Sequence, residues 1–260
     1  MPFHHAADLR LFYRLDGRPD RPLLVLGNSL GTDMFMWEPQ MEALTAHYRV
    51  LRIDTRGHGA SDVKQGDARI EDLAHDLLAV VDALGTDHFA FCGLSLGAMV
   101  GQWLAIHQPN RLTRLVLSNA SAHLPSRESW SDRMALVRRE GMAALTDTVM
   151  ARFFSQAYRD RNEPFFHSMR TSFASMPAEG YAACCAAVRD ADFRPRLPHI
   201  AMPTLVIAGA LDTATPADVH GQPLRERIPG AQWALLQAGH IANVEQPQAF
   251  NRAVLDFLRA

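Results

Sequence analysis

The chain has 260 residues, a length that a single open α/β sheet can occupy, and about half of the residues (48%) are apolar. A substantial hydrophobic core is therefore expected, and a disordered chain is not. The 26 Lys and Arg residues nearly balance the 28 Asp and Glu residues, and no run of like charges is long enough to bind a nucleic acid or a membrane surface. The composition favours a small-molecule partner.

Cysteine use and the first residues bear on where the protein works. The three cysteines, Cys92, Cys184 and Cys185, cannot form a disulfide framework in a chain of this length, and adjacent cysteines seldom have the geometry of a bridge. The start of the chain lacks the basic and apolar segments of a secretory signal, and no apolar run could cross a bilayer. We expect a soluble, cytoplasmic protein whose cysteines are small buried or half-buried groups.

Short apolar runs alternate with helical stretches along most of the chain. The predicted strands are Leu23–Leu26, Val50–Ile53, Phe89–Cys92, Leu115–Leu117, Thr204–Ile207 and Trp233–Leu236. The clearest helical period runs over Ile70–Leu84, which has apolar residues on one face and acidic residues near its start. Strands that alternate with helices predict an α/β fold with a mostly parallel sheet and right-handed crossovers.

The alternation stops after about Ala122. From Ser126 to roughly Asp192 the sequence has helical patterns only, and strand signals resume at Pro203. A helical insertion at this place would lie over the carboxyl ends of the strands, where open sheets bind their ligands. We predict a core of residues 1–122 and 193–260 and a helical cap over residues 123–192.

Gly93–Gly97 (GLSLG) is the strongest local motif. It follows a predicted strand and precedes a helical stretch from Ala98 to about His107. Glycines on both sides of a serine permit a tight strand-to-helix turn that exposes the hydroxyl beside the positive end of the helix. The pattern alone is common, but its position between a strand and a helix predicts that Ser95 is a nucleophile.

A serine hydroxyl needs a positioned base, and the chain offers twelve histidines. Most have ordinary interpretations: His75 and His107 lie in helical stretches, and His220 is among those predicted to be solvated. His240 follows the last predicted strand and precedes the terminal helix, so it belongs to the same edge of the sheet as Ser95. We therefore predict His240 as the general base.

A carboxylate is needed to orient the histidine. Asp212 follows the strand that begins at Thr204, and it falls between the serine and the histidine in chain order. The competing carboxylates are Asp54, at the end of an earlier strand, and Asp190 and Asp192, in the predicted cap. The order Ser, Asp, His favours Asp212.

Other glycine, histidine and cysteine patterns predict no further chemistry. Gly57–Gly59 lacks the spacing of a nucleotide-binding loop and is interpreted as a structural turn. The scattered histidines and cysteines have no paired spacing typical of metal ligands, so neither a metal nor a cofactor is expected.

Taken together, these motifs resemble the α/β-hydrolase superfamily along the whole chain, and within it the 3-oxoadipate enol-lactone hydrolases of bacterial aromatic catabolism. The wider resemblance is carried by Asp54–Ser61, Gly93–Gly97, Asp212 with Pro216, and Gly239 with His240. The narrower one is carried by Gly27–Asp33, Met36–Trp37, Gly101–Leu104, Gly141–Leu145 and Gly180–Asp190. The resemblance implies that Ser95, Asp212 and His240 are the catalytic residues.

The resemblance also suggests the rest of the site. Asn28-Ser29 stands where many members have His-Gly, as in the enol-lactone hydrolases, and the N–H groups of Leu30 and Leu96 are expected to form an oxyanion hole. The lactone carries a free carboxylate, for which an arginine of the cap is the expected partner. The candidates are Arg133, Arg138, Arg139 and Arg152, with Trp130 as a possible wall of the pocket.

Several alternatives stay open at this level. Another carboxylesterase, a carbon–carbon bond hydrolase or a perhydrolase would keep the same three residues and change only the pocket. A ligand receptor with negligible turnover would keep them as well. Multiple-turnover kinetics would separate an enzyme from such a receptor.

Overall fold

One sheet of eight strands organises the protein. The computed structural model describes residues 3–6 and 9–260. The strands are β1 (Phe3–Ala6), β2 (Leu9–Asp16), β3 (Leu23–Gly27), β4 (Arg49–Ile53), β5 (Phe89–Leu94), β6 (Leu112–Ser118), β7 (Thr204–Gly209) and β8 (Gln232–Leu236). Their order across the sheet is β1-β2-β4-β3-β5-β6-β7-β8.

The six strands from β3 to β8 are parallel to one another, and β1 and β2 add an antiparallel edge. All six predicted strands are present, and the α/β fold with a mostly parallel sheet is confirmed. The antiparallel pair β1 and β2 was not predicted. Since parallel strands end at the same edge of a sheet, the loops after β3, β5, β6, β7 and β8 converge.

Helices join and flank the strands. The core helices are α1 (Glu38–Thr45), α2 (Ile70–Ala83), α3 (Leu96–His107), α9 (Gln222–Arg227), α10 (Ala242–Glu245) and α11 (Pro247–Arg259). The predicted helix over residues 70–84 is α2, and its buried face contains the expected leucines and valines. Helix α3 packs on β5 and β6, whereas α1 and α11 pack against each other.

Between β6 and β7 the chain forms five helices and no strand. They are α4 (Arg127–Glu140), α5 (Ala143–Phe153), α6 (Gln156–Asp160), α7 (Pro164–Ser175) and α8 (Ala178–Asp190), and this segment, residues 127–190, is termed the cap. Its α4 packs on α8. The two ends of the insertion meet where the Phe193 N–H donates to the Ala122 carbonyl at 2.8 Å. The division of the chain into core and cap at residues 122 and 193 stays a prediction.

The cap rests on the core through a direct backbone contact. A Cβ atom on Gly180 of α8 would lie 2.3 Å from the Gly57 carbonyl oxygen. Gly57 has a φ of +74°, and Gly59 has a φ of +53°, so the Gly57–Gly59 segment is the structural turn that the sequence predicted. Only glycine permits this approach at both positions.

The three cysteines are buried and free, as predicted. Within residues 3–6 and 9–260, no helix combines the length and apolar character that crossing a membrane demands.

Candidate active site

Ser95 lies in a strained turn between β5 and α3. Its φ of 56° and ψ of −110° are unusual for a residue with a side chain. The turn is tight because glycines flank it: a Cβ on Gly93 would be 2.3 Å from the Gly97 carbonyl oxygen, and a Cβ on Gly97 would be 2.2 Å from that of Gly27. The Ser95 N–H donates to the Ser118 carbonyl at 3.0 Å. Backbone contacts therefore fix the position of this serine.

His240 and Asp212 form a buried pair in the loops after β8 and β7. The distance between His240 Nδ1 and Asp212 Oδ2 is 2.8 Å, and both residues are buried. The structure thus brings the predicted histidine onto the predicted carboxylate rather than onto Asp54, Asp190 or Asp192. With Nδ1 donating to this carboxylate, the neutral ring has its lone pair on Nε2.

Asp212 is surrounded by hydrogen-bond donors. Oδ1 accepts from the N–H groups of Ala214 at 2.7 Å and Thr215 at 2.9 Å, and Oδ2 also accepts from the Asn119 amide at 2.9 Å and the Thr215 hydroxyl at 2.7 Å. Burial alone would raise the pKa of this carboxyl group. The charge of His240 and the hydrogen bonds outweigh burial and lower the pKa well below its usual range.

Asn119 and Thr215 were missed by the sequence reasoning. Asn119 follows β6 directly, has a φ of 45°, and also donates to the Gly239 carbonyl at 3.2 Å, so it joins the Asp212 loop to the His240 loop. The available signal was its position: a polar residue at the carboxyl end of a buried parallel strand lies at the edge where the site forms.

The loop after β3 presents Leu30 toward Ser95. Asn28 anchors this loop, because its amide donates to the Ile53 carbonyl at 2.8 Å and its backbone carbonyl accepts from the Gly97 N–H at 2.9 Å. Leu96 is the first residue of α3, so its N–H is one of those that have no acceptor within the helix. Leu30, Ser95 and Leu96 line one small cavity.

His58 holds the same loop from behind. Its Nε2 accepts from the Gly31 N–H at 3.1 Å, and its Nδ1 lies 3.1 Å from the Arg56 carbonyl oxygen, to which it can donate. Complete burial lowers the pKa of His58 to about 4, so the ring is neutral near pH 7 and can accept at Nε2. The neutral imidazole of His58 thus supports the backbone next to Leu30.

Ser95 and His240 open onto one cavity of about 230 Å³ between the core and the cap. Among the described residues, no hydrogen bond joins the Ser95 hydroxyl to His240; such bonds are often long in a free enzyme and shorten when substrate binds. The ring of Phe153, in α5, stacks on the His240 ring with 5.6 Å between centroids. Ser95, His240 and the cap therefore meet at this cavity.

Two cap arginines lie in the wall of the cavity. Arg133 donates to the Tyr181 hydroxyl at 3.3 Å and lies over the Trp130 ring, 4.8 Å from its centroid, and Arg152 lines the same wall. Partial burial and the charge of Arg133 lower the pKa of Arg152, although the residue as a whole is exposed. Across residues 3–6 and 9–260, neither arginine forms an ion pair with a carboxylate.

The other two arginine candidates are directed elsewhere. Arg138 pairs with Glu179 at 2.8 Å and Arg139 with Glu140 at 2.7 Å. These pairs satisfy the guanidinium groups away from the cavity, so only Arg133 and Arg152 of the four are available at its wall.

His220 corrects one expectation. The sequence interpretation placed it on the solvated surface, but it is half-buried, lines the cavity and has its Nδ1 2.9 Å from the Ser121 hydroxyl. Burial lowers the pKa of this histidine. The residue lies in a short π-helical turn over Ala217–Gly221, which the sequence pattern did not reveal.

A second cavity of about 350 Å³ lies on the other side of Phe153. It is lined mainly by apolar side chains of α5, α7 and the loop after β3, including Phe35, Met150, Phe165 and Met169. Within residues 3–6 and 9–260, no group of three or more His, Cys, Asp and Glu side chains is arranged to hold a metal ion.

An eight-stranded, mostly parallel sheet with a serine turn after β5 and an Asp–His pair after β7 and β8 defines the class of protein. The chain belongs to the α/β hydrolase fold family, whose sequence profile matches residues 22–247. The predicted fold family is confirmed.

The comparisons with individual proteins are more specific. The chain is 41% identical over 260 residues to 3-oxoadipate enol-lactonase 2 of Acinetobacter baylyi, with 98% of this chain and 97% of the relative covered. It is similar to the crystal structure of the enol-lactonase from Burkholderia xenovorans LB400, with 42% identity, a TM-score of 0.97 and all of both chains covered. It is also similar to a hydrolase from Pseudomonas aeruginosa PA01, with 46% identity, a TM-score of 0.96, and 99% and 98% of the two chains covered. The resemblance to enol-lactonases is confirmed.

Proposed function

We propose that the protein opens the lactone ring of 3-oxoadipate enol-lactone to give 3-oxoadipate, with Ser95 as nucleophile, His240 as base and Asp212 as its orienting carboxylate. The observation that carries the proposal is one cavity lined by Ser95, by His240, whose Nδ1 lies 2.8 Å from the buried Asp212 carboxylate, and by two arginines that form no ion pair with a carboxylate among residues 3–6 and 9–260. The names of the enol-lactonase relatives support this substrate. The reaction belongs to the β-ketoadipate route of aromatic catabolism.

Acylation begins when His240 Nε2 takes the proton of the Ser95 hydroxyl as Ser95 Oγ attacks the lactone carbonyl. Asp212 stabilises the imidazolium that forms, because its carboxylate stays ionised beside Nδ1. The low pKa of Asp212 supports this role, since a proton that reaches His240 does not pass on to the carboxylate. A bond forms between Ser95 Oγ and the lactone carbonyl carbon, which gives a tetrahedral intermediate.

The negative oxygen of that intermediate accepts from the N–H groups of Leu30 and Leu96. Losing one such donor typically costs about 3–4 kcal/mol in the transition state. The bond from carbonyl carbon to ring oxygen then breaks, and the leaving group is an enolate, which is more stable than a simple alkoxide. His240 returns the proton, and the enol becomes the ketone of 3-oxoadipate.

Water completes the reaction. His240 removes a proton from a water molecule that attacks the acyl carbon, and collapse of the second intermediate releases the new carboxylate and restores the Ser95 hydroxyl. The steps consume one water, and the base is regenerated.

Arg133 and Arg152 bind the carboxylate that the lactone already carries. Both arginines line the cavity, and neither forms an ion pair with a carboxylate in the part of the chain that the structure describes. A charge-assisted hydrogen bond to an anion would offset their mutual repulsion. Trp130 packs under Arg133 and limits the directions in which that side chain can point.

The test compares hydrolysis of the enol-lactone with hydrolysis of neutral p-nitrophenyl acetate. Ser95→Ala should abolish turnover of both substrates. Arg133→Met and Arg152→Met should each raise KM for the lactone about 10-fold or more, because a charge-assisted hydrogen bond contributes roughly 1.5–3 kcal/mol. Neither should change KM for the neutral ester, and Arg138→Met, which alters an arginine outside the cavity, is the matched control.

Two outcomes would reject the proposal. Rapid cleavage of esters without any cleavage of the lactone would reject the substrate. Near-normal activity of Ser95→Ala would reject the mechanism.

A general carboxylesterase is the second candidate, and the apolar cavity beyond Phe153 favours it. An ester with an extended apolar chain would have space there that a small lactone does not need. A preference for p-nitrophenyl hexanoate over the enol-lactone, measured by kcat/KM, would support this candidate.

A further inference from the structure

Glu245 is a buried carboxylate close behind the loop that carries His240. Its Oε2 accepts from the Gly239 N–H at 3.0 Å and from the Ser155 N–H at 3.1 Å, and its Oε1 accepts a short hydrogen bond from the Ser155 hydroxyl. Within the described part of the chain, no cationic side chain forms an ion pair with it. Three neutral donors hold this carboxylate, two of them from the cap and one from the core.

Further contacts join the same two segments. The Ile241 N–H donates to the Phe153 carbonyl at 3.0 Å, and the Phe153 ring stacks on His240 at an interplanar angle of 26°. A Cβ on Gly239 would lie 2.9 Å from the Ser155 nitrogen, so the two backbones are in direct contact. Cap residues 153–155 therefore pack directly on the loop of core residues 239–241, with the Phe153 ring against one face of the His240 ring.

From these contacts we infer that Glu245 is a positioning residue, which fixes cap residues 153–155 to the His240 loop and thereby sets the direction of His240 Nε2. The inference rests on the proposed function, in which His240 is the base. Asp212 restrains only the Nδ1 end of the ring, and the ring can still tilt about that hydrogen bond. Phe153 restrains the tilt, and Glu245 holds Phe153 in place through Ser155.

The geometry distinguishes two substitutions at this position. In Glu245→Gln the amide oxygen can replace Oε2 and accept both backbone N–H groups, while the amide NH₂ replaces Oε1 and donates to the Ser155 hydroxyl, which can accept as well as donate. All three contacts survive. In Glu245→Ala the three donors lose their acceptor.

A matched control exists at another contact between cap and core. The Ser172 hydroxyl of α7 donates to Asp33 Oδ2 in a second hydroxyl–carboxylate hydrogen bond. Ser172→Ala removes this bond without touching the His240 loop, whereas Ser155→Ala removes the bond to Glu245 and also the N-cap hydrogen bond that the Ser155 hydroxyl accepts from the Tyr158 N–H at the start of α6. If the bonds serve only to attach the cap, the two variants should behave alike.

The experiment measures two rates in each folded variant. One is the rate at which diethyl p-nitrophenyl phosphate modifies Ser95, read from the released nitrophenolate, and the other is steady-state hydrolysis of the enol-lactone. We expect Glu245→Ala and Ser155→Ala to lower both the modification rate and kcat about 10- to 100-fold with little change in KM, since a small misplacement of a catalytic group has effects of this size. Glu245→Gln should stay within about threefold of the wild type and Ser172→Ala should match it.

The inference fails if folded Glu245→Ala or Ser155→Ala is modified at the wild-type rate, or if Ser172→Ala loses as much as Ser155→Ala. Thermal unfolding of each variant verifies the folded state. His240→Ala separates this failure from that of the proposed function: if the phosphate ester modifies His240→Ala as fast as the wild type, His240 is not the base. A wild type that reacts with the phosphate ester and ignores the lactone rejects only the substrate.

Discussion

Among the described residues, each hydrogen-bond partner of the Asp212 carboxylate donates to it. The carboxylate accepts from two backbone N–H groups, from the Asn119 amide, from the Thr215 hydroxyl and from His240. This set favours the ionised carboxylate, and it also fixes the orientation of the imidazole. Because these partners donate, a side chain at position 212 that itself donates would not fit among them. The same two carboxylate oxygens therefore stabilise the charge of His240 and hold its ring in place.

With Asp212 in the proposed role, Asp212→Asn should lower kcat about 10⁴-fold, the effect of replacing the aspartate of a Ser-His-Asp triad. With its NH₂ group in place of Oδ2, the new amide donates to His240 Nδ1 and drives the ring to the tautomer with its proton on Nε2. With its NH₂ group in place of Oδ1, it would face the N–H groups of Ala214 and Thr215, which cannot accept. Steady-state hydrolysis of the lactone measures the effect. Wild-type turnover would mean that a different carboxylate supports His240.

Among the elements, the closest approaches involve glycine backbones rather than side chains. Gly97 of α3 touches Gly27 of β3, and Gly180 of α8 touches Gly57 of the core turn. The first contact fixes the Ser95 turn relative to the sheet. The second sets how near the cap lies to the core, and thus the height of the cavity between them.

Gly180→Ala should lift α8 from the core. The new Cβ would lie 2.3 Å from a backbone oxygen that cannot rotate away, so we expect destabilisation of about 1–3 kcal/mol together with a fall in kcat/KM. Thermal unfolding and lactone kinetics measure the two effects. Gly141→Ala is the control: its Cβ would meet nothing within 4 Å, although its φ of +77° makes alanine strained there.

The control should lose stability and keep its activity. Equal loss of activity in both variants would show that the contact between Gly180 and Gly57 does not set the cavity.

The elements differ in how well their sequences predict them. Strands β3 to β7 are recognisable because they are largely buried in continuous apolar runs, as in Leu23–Gly27, whereas β8 lies at the edge of the sheet with only Leu236 buried and is recognisable from its apolar run alone. β2 was missed because only Leu9 and Leu11 of its eight residues are buried, so it lacks such a run. The Asp–His pair could be predicted from chain order and strand ends, whereas Glu245 and His58 act through neighbours distant in sequence that no local pattern identifies.

Across the whole molecule, two buried groups in one core turn give opposite pH dependences to stability. Burial raises the pKa of Asp54 to about 6, so the folded state holds a proton there that the unfolded chain releases near pH 4, and stability falls as the pH rises between these values. Burial lowers the pKa of His58 to about 4, whereas the unfolded imidazole takes up its proton near pH 6.5. The contribution of neutral His58 to the free energy of unfolding is complete above about pH 6.5 and is lost as the pH falls toward 4.

A comparison of the wild type with His58→Gln isolates the pH dependence that His58 gives to stability, since Asp54 is present in both proteins. The difference in free energy of unfolding should increase by about 3 kcal/mol in favour of the wild type from pH 4 to pH 7, because burial lowers the pKa of His58 from about 6.5 to about 4 and each pH unit between these values contributes about 1.36 kcal/mol. Urea denaturation at several pH values measures it. A difference that does not vary with pH would mean that His58 binds its proton equally in the folded and unfolded states.

The left-handed backbone at Ser95 has a practical consequence for anyone who inactivates this protein to trap a complex. Alanine keeps the Cβ atom and with it the unfavourable torsion, whereas glycine releases about 1–3 kcal/mol of conformational strain. A glycine variant would therefore melt higher than the parent while its loop samples other shapes, and only the alanine variant preserves the native outline of the pocket for crystallography or calorimetry.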